Sequence, residues 1–287
     1  MATPLPTTLT TADGLTLQVR EWPAADARAT VLIVHGLGEH AGRYAHVAAH
    51  LVDGGHRVVA YDHRGHGDSD GPRGRLHHPD DLLRDLARMI DAVRAAYPGR
   101  LVLLGHSMGG VIAARMVAAG LEPKPPKWYR PVDALVLSSP ALDIGLAGAQ
   151  KVLLAVLRRL APNFAIGNGL EPEWVSRDPA VVAAYIDDPL VHDRVSAKLV
   201  RFMAEAGAFV RAHAAQWRVP TLLMYAGADR CVVPAGSATF AAAAPRSVVV
   251  VQPFPALYHE LFNEPEQAEV FAVLAAWLSA APGRPAP

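Results

Sequence analysis

The chain has 287 residues, 51% of them hydrophobic and 19% charged, which supplies a large core and excludes an intrinsically disordered protein. Lysine plus arginine equals aspartate plus glutamate at 27 each, a formal net charge of zero, so nothing in the charge balance favours nucleic acid or an anionic surface as a partner. The single cysteine, Cys231, excludes an intrachain disulfide, and no apolar run approaches the roughly 20 residues that span a bilayer.

The N-terminal residues, Met1-Ala2-Thr3-Pro4-Leu5-Pro6, lack the basic region and apolar core of a secretory signal. With the lone cysteine this gives an expected cytoplasmic location, at most peripheral to a membrane. Strands are expected at Leu15–Trp22, Thr30–His35 and Arg57–Asp62. A helix follows over Asp80–Tyr97, where Leu82, Leu83, Leu86, Met89, Ile90 and Val93 form one apolar stripe between Pro79 and Pro98-Gly99. Next come a strand at Arg100–Leu104, a helix over Met108–Gly120, a proline-broken loop at Leu121–Pro131 and a strand at Ala134–Ser138. From Ala141 to Trp217 the pattern holds no convincing strand, only helical periodicity and turns. Strands resume at Thr221–Tyr225 and Ser247–Gln252, before a final helix. Short β-branched runs alternating with helices predict an α/β fold, a mostly parallel sheet with helices on both faces. Residues 1–140 and 218–282 form its core, 141–217 a helical cap, and 283–287 a flexible tail.

The motif that carries chemistry is Gly105-His106-Ser107-Met108-Gly109-Gly110, set between an apolar strand and a helix. That context defines a nucleophile elbow, a sharp turn that lifts a serine hydroxyl above the strand ends at a helix N-terminus. A serine hydroxyl needs a base in hydrogen-bond reach, and the base needs a carboxylate to fix its tautomer. In this architecture the partners follow in the order Ser, Asp, His. Asp229 ends Tyr225-Ala226-Gly227-Ala228-Asp229, directly after a strand. His259, in Ala256-Leu257-Tyr258-His259-Glu260, is the only histidine downstream of it. Ser107, Asp229 and His259 are therefore the candidate catalytic residues. An acyl-transfer site also needs donors for an oxyanion; the backbone N–H groups of Leu37, in His35-Gly36-Leu37-Gly38, and of Met108 are the candidates. His35 itself is expected to brace its loop.

With these pieces in place the chain resembles the monoacylglycerol lipase and lysophospholipase family of α/β-hydrolases. The matching segments are His35–Tyr44, Tyr61–Ser69, the Gly105–Gly110 motif, Ser139-Pro140-Ala141, Asp229 and Tyr258-His259-Glu260, spanning about residues 15 to 280 without much of the cap. The resemblance implies cofactor-free hydrolysis of a single-chain acyl ester, most readily a monoacylglycerol, through an acyl-serine intermediate. It also implies substrate-site roles for Glu39 and Arg43 near a glycerol end of the pocket, against the alternative that they brace their loop by a salt bridge. One departure is Phe262, where animal members carry a second histidine three positions after the catalytic one. It points to weaker polar recognition of glycerol and makes a lysophospholipid or a generic ester more plausible; a thioesterase or broad carboxylesterase would share the whole apparatus and stays open. A ligand receptor on the same fold, binding without turnover, is the alternative of a different class. Ser107 in place of a carboxylate excludes dehalogenase and epoxide-hydrolase chemistry.

Thirteen histidines invite a metal reading, but there is no His-Glu-x-x-His pattern and no cysteine pair, so no metal site is expected. His63 and His66 are expected in a structured loop under the site, and Cys231 as a small buried packing residue, with the alternative that it lies near the pocket and makes activity sensitive to thiol reagents. The cap stretch Lys151–Leu160 is apolar over more than one helical face. Its Leu153 and Leu157 are candidates for lining an acyl tunnel, or for transient contact with a membrane or micelle; the equal alternative is a helix buried between cap and core.

Overall fold

Every residue of β3 (Thr30–Val34), β5 (Leu101–His106) and β6 (Ala134–Ser138) is buried, as strands covered on both faces must be. They form the middle of an eight-stranded sheet of order β1-β2-β4-β3-β5-β6-β9-β10, in a computed structural model that describes residues 4–146, 148 and 159–280. The outer members are β1 (Thr8–Thr10), β2 (Thr16–Trp22), β4 (Arg57–Tyr61), β9 (Thr221–Ala226) and β10 (Val249–Phe254). β1 and β2 run antiparallel at one edge, and every pairing from β4 to β10 is parallel. The fold class is that expected from the sequence.

Parallel neighbours need crossovers, and these are the helices α1 (Ala45–Asp53), α2 (Asp81–Ala96), α3 (Ser107–Ala119) and α6 (Pro234–Ala243), with α7 (Gln267–Ala280) closing the chain. The two-residue period of a strand splits the core in two. Leu32, Val34 and Leu103 pack with Leu86 and Ile90 of α2 and Ile112 of α3. Ile33, Val102 and Leu104 pack on the opposite face with Val47 of α1 and Leu274 of α7. α3 lies unusually close to the sheet: a methyl group on Gly109 would stand 1.9 Å from the Val34 carbonyl oxygen. Only glycine allows that approach, and the approach fixes where α3 begins.

The expected strand boundaries agree with the structure to within one or two residues, and residues 121–131 carry no helix or strand. The cap differs. Between β6 and β9 it contains β7 (Ala165–Gly167) and β8 (Arg194–Ser196), an antiparallel pair, besides α4 (Pro179–Asp187) and α5 (Ala197–Ala212). Strands of three residues are too short to display alternation, and their partners lie far apart in sequence, so a helical pattern was all that could be read. Leu199, Phe202, Met203 and Ala206 of α5 belong to the same buried cluster as α3. Asp178 caps α4 by accepting from Ala180 N–H, with Pro179 at the first helical position.

The loop after β4 is held by one buried cation. Arg64, 4% exposed, donates to both carboxylate oxygens of Asp85 at 2.6 and 2.8 Å and to Asp13, and lies 3.0 Å from Asp81. Asp62 beside it accepts from Ala41 N–H and Asp68 N–H, both at under 3 Å. The His63–His66 segment is thus a braced underlayer, with His63 N–H donating to Nε2 of the fully buried His35. His35 braces its loop as expected. Among the described residues no helix is long and apolar enough to cross a membrane.

Candidate active site

β5 ends at His106 and α3 begins at Ser107, so the serine sits at the carboxyl edge of the sheet, at the first position of a helix. Its φ of +53° is left-handed, a conformation that costs a non-glycine residue about 1 kcal/mol or more and is sustained by surrounding structure. Met108, the second residue of α3, belongs to the first helical turn, whose N–H groups have no partner within the helix. The loop after β3 faces this turn, since a methyl on Gly36 would lie 3.2 Å from Ser107 Cβ. Leu37, Ser107 and Met108 line a common cavity of about 280 Å³.

The other two candidates arrive from loops after β9 and β10. His259 is buried and its Nδ1 lies 2.7 Å from Asp229 Oδ2. Asp229 is held in turn by Cys231 N–H and Val232 N–H, which donate to its Oδ1 at 2.8 and 3.0 Å. Burial opposes ionisation of Asp229, but His259 and these N–H groups outweigh it and hold its carboxyl below the usual range. For His259 burial pulls the imidazole down, and the Asp229 carboxylate more than reverses this, leaving it above the ordinary histidine value. His106 packs against His259, ring centroids 4.7 Å apart; burial first, then the His259 charge, pushes its pKa to about 3, so it stays neutral. Ser107 and His259 line one further small cavity of about 40 Å³ with Leu37, Glu171 and Tyr185.

Glu39 and Arg43 meet as a buried network. Arg43 donates to Glu39 at 2.8 Å and makes a two-pronged bond to Glu260 at 2.6 and 2.8 Å. Glu39 also accepts from Gly36 N–H and from Tyr44 O–H. Burial pushes the Glu39 carboxyl up, whereas Arg43 holds Glu260 down against its own burial. Glu39 lies in the wall of the small cavity with Ser107; Arg43 stands behind it, over the Tyr185 ring at 4.8 Å. Phe262 points away, buried against Phe271 with ring centroids 5.3 Å apart, so it is not among the residues lining the Ser107 cavities. Leu153 and Leu157 lie outside the described residues.

Cys231 lines both cavities with Ser107, and burial raises its thiol pKa strongly. Ligand atoms of Asp229, Cys231 and His259 lie within 4.8 Å of one another. Two of these atoms already share a hydrogen bond and the thiol is held protonated, a poor donor set for a cation. Glu171, Tyr185 and Glu260 were not among the candidate site residues; their only signal was position within residues 141–217 or, for Glu260, directly after His259. A larger cavity of about 360 Å³, lined by Leu83, Arg115, Phe202 and Phe209, lies apart from these residues.

Residues 25–266 match the family model described as "Hydrolase_4: Serine aminopeptidase, S33". The chain is 38% identical over 261 residues to a monoacylglycerol lipase of Mycolicibacterium smegmatis, covering 89% of this chain and 90% of that one. It belongs to the monoacylglycerol lipase and lysophospholipase family of α/β-hydrolases. The human monoglyceride lipase is 34% identical, with 94% of this chain and 89% of that one covered. Among solved structures, the monoacylglycerol lipase of Paleococcus ferrophilus superimposes with a TM-score of 0.79 at 32% identity, over 91% of this chain and 98% of that one. A soluble variant of the Saccharomyces cerevisiae enzyme, at 22% identity and a TM-score of 0.82 over 96% and 95% of the chains, shares the fold. Like its family, the chain is a carboxylic ester hydrolase.

Proposed function

We propose that the protein hydrolyses monoacylglycerols through an acyl-serine intermediate. The observation that carries this reading is the Asp229–His259 hydrogen bond at the edge of a cavity that Ser107 also lines. Asp229 accepts the Nδ1 proton, which leaves Nε2 of His259 unprotonated and able to take the hydroxyl proton of Ser107 as it attacks the ester carbonyl. The Leu37 and Met108 N–H groups receive the oxyanion. His259 then protonates the departing alcohol, and in the second half activates water to release the fatty acid.

The two cavities suit the two halves of such a substrate. The larger one, with Ile144, Leu146, Trp174, Val200 and Met203 in its wall beside Asn168 and Arg230, is the more apolar-lined and takes the acyl chain. The smaller one takes the alcohol, near Glu39, Glu171 and Tyr185. Exposed Leu160, Phe164 and Ile186 on the cap, 77%, 58% and 58% accessible, support contact with the lipid surface that holds the substrate.

The alcohol side disfavours an anionic head group. None of its described lining residues is lysine or arginine, whereas Glu171 and Asp229 contribute negative charge around it. Arg230, in the wall of the adjoining cavity, has its guanidinium over the Tyr258 ring. With an effective dielectric near 20, a phosphate about 8 Å from one uncompensated carboxylate is disfavoured by about 2 kcal/mol, roughly thirtyfold. Purified protein should therefore hydrolyse a monoacylglycerol with kcat/KM at least about tenfold above a lysophosphatidylglycerol of the same chain length. An equal or reversed ranking overturns the head-group assignment.

The base works only when neutral, and Asp229 holds its pKa above the ordinary histidine value. Activity should therefore fall as pH drops through a pKa above about 6.5. A pH–rate profile of kcat/KM checks this, and an acid limb displaced well below that value contradicts the assignment of His259.

A further inference from the structure

The loop that carries His259 is fastened to the cap on both sides of the histidine. The preceding peptide N–H, that of Tyr258, donates to Glu264 Oε2 at 3.1 Å. The following one, that of Glu260, donates to the carbonyl of Val175 in the cap at 2.8 Å. Glu264 is fully buried and its carboxylate is occupied by a second cap residue. Arg177 donates from its backbone N–H to Oε1 and from its Nε to Oε2, both at 2.6 Å. The same guanidinium also binds Glu266, at the approach to α7. Between these contacts Ser176 donates its hydroxyl to the Asn263 carbonyl at 2.9 Å. Three consecutive cap residues, Val175, Ser176 and Arg177, thus grip the six residues that follow Tyr258.

We propose that Arg177 and Glu264 are positioning residues for His259, coupling the seating of the cap to the alignment of the catalytic base. A buried carboxylate with three donors is a rigid anchor, and here it fixes the backbone N–H of the residue directly before the histidine. Asp229 fixes the ring from the other side. When the cap is seated, the backbone at residues 258 and 260 has one position. When residues 175–177 lift, Glu260 N–H loses its acceptor and Glu264, the acceptor of Tyr258 N–H, loses two of its three donors, so the imidazole is free to leave the line between Asp229 and Ser107. Substrate-side contacts are not altered directly, since neither Arg177 nor Glu264 lines the Ser107 cavities.

This rests on the ester-hydrolase mechanism proposed above, and the controls separate the two. Wild-type protein is first assayed with a monoacylglycerol and labelled with a fluorophosphonate; absence of both signals defeats the mechanism, not the clamp. Arg177→Ala leaves Glu264 its two backbone donors, and its folding is checked by thermal unfolding. It should lower kcat by about tenfold to a hundredfold, the scale of an ångström-level misplacement, while KM stays within about twofold. The downfield proton resonance of the His259 Nδ1–H should broaden or move upfield, and Arg177→Lys should restore part of both. Glu264→Gln, which keeps the volume, serves as the second variant and should give the same split. Unchanged kcat and an unchanged Nδ1–H resonance in a folded Arg177→Ala or Glu264→Gln protein overturn the proposal, as does a rise in KM with kcat preserved.

Discussion

Ser107→Ala is expected to lower kcat/KM for monoacylglycerol hydrolysis by on the order of 10⁴- to 10⁶-fold, with the fold intact and labelling by a fluorophosphonate abolished. The size follows from what is removed. Alanine leaves the Asp229–His259 pair and the N–H groups of Leu37 and Met108 in place, but no covalent intermediate can form, and only binding and oxyanion stabilisation persist. Stability should move separately from activity. The φ of +53° at residue 107 is comfortable only for glycine, so Ser107→Gly should be equally inactive yet more stable. The gain should be about 1 kcal/mol once strain release is set against glycine's greater freedom in the unfolded chain. Urea unfolding of the two variants beside the wild type reads this difference. A Ser107→Ala protein that retains ester hydrolysis near the wild-type rate contradicts the mechanism.

The second large effect concerns stability. Arg64→Ala removes the guanidinium on which Asp85 and Asp81, 1% and 6% exposed, depend. Breaking a buried ion network from one side strands its other charges, which costs roughly 3–5 kcal/mol. In a protein of this size that lowers Tm by roughly 6–20 °C. Burial already pushes the Asp85 carboxyl up even with Arg64 present, and without Arg64 a proton on Asp85 is the cheapest relief. The deficit should therefore shrink as the pH is lowered toward the carboxylate range, where wild type and variant are compared by calorimetry. A Tm within about 2 °C of wild type shows that the network is neutral to stability.

Much of the architecture was readable because its causes are local. Residues 31–34 and 101–104 are unbroken apolar runs, the mark of strands buried on both faces, and Pro79 and Gly99 punctuate the helix between them. The elbow was readable because a strand, a turn with spaced glycines and a helix must be consecutive in sequence to form it. Asp229 and His259 were named from order along the chain, and the structure brings their side chains into one hydrogen bond. What escaped depends on contacts between distant segments. The β7–β8 pair joins residues about thirty positions apart. The bond from Arg43 to Glu260 spans 217 positions, and that from Arg177 to Glu264 spans 87; nothing in either neighbourhood announces its partner. Phe262 shows the opposite hazard. Its position suggested a place in the substrate pocket, but the short 3-10 turn Leu261–Asn263 after His259 carries the ring toward Phe271 and the core, so the type of residue was legible and its direction was not.

The account depends on Ser107 becoming acylated during turnover. Rapid quenching of the protein with a slowly deacylating ester, followed by tryptic digestion and mass spectrometry, should find the acyl group on the peptide spanning residues 101–115, located at Ser107 by fragmentation. The adduct should form and decay fast enough to carry the steady-state flux, and it should form far more slowly in His259→Ala. Turnover with no adduct on that peptide, or with the acyl group on another side chain, contradicts the account.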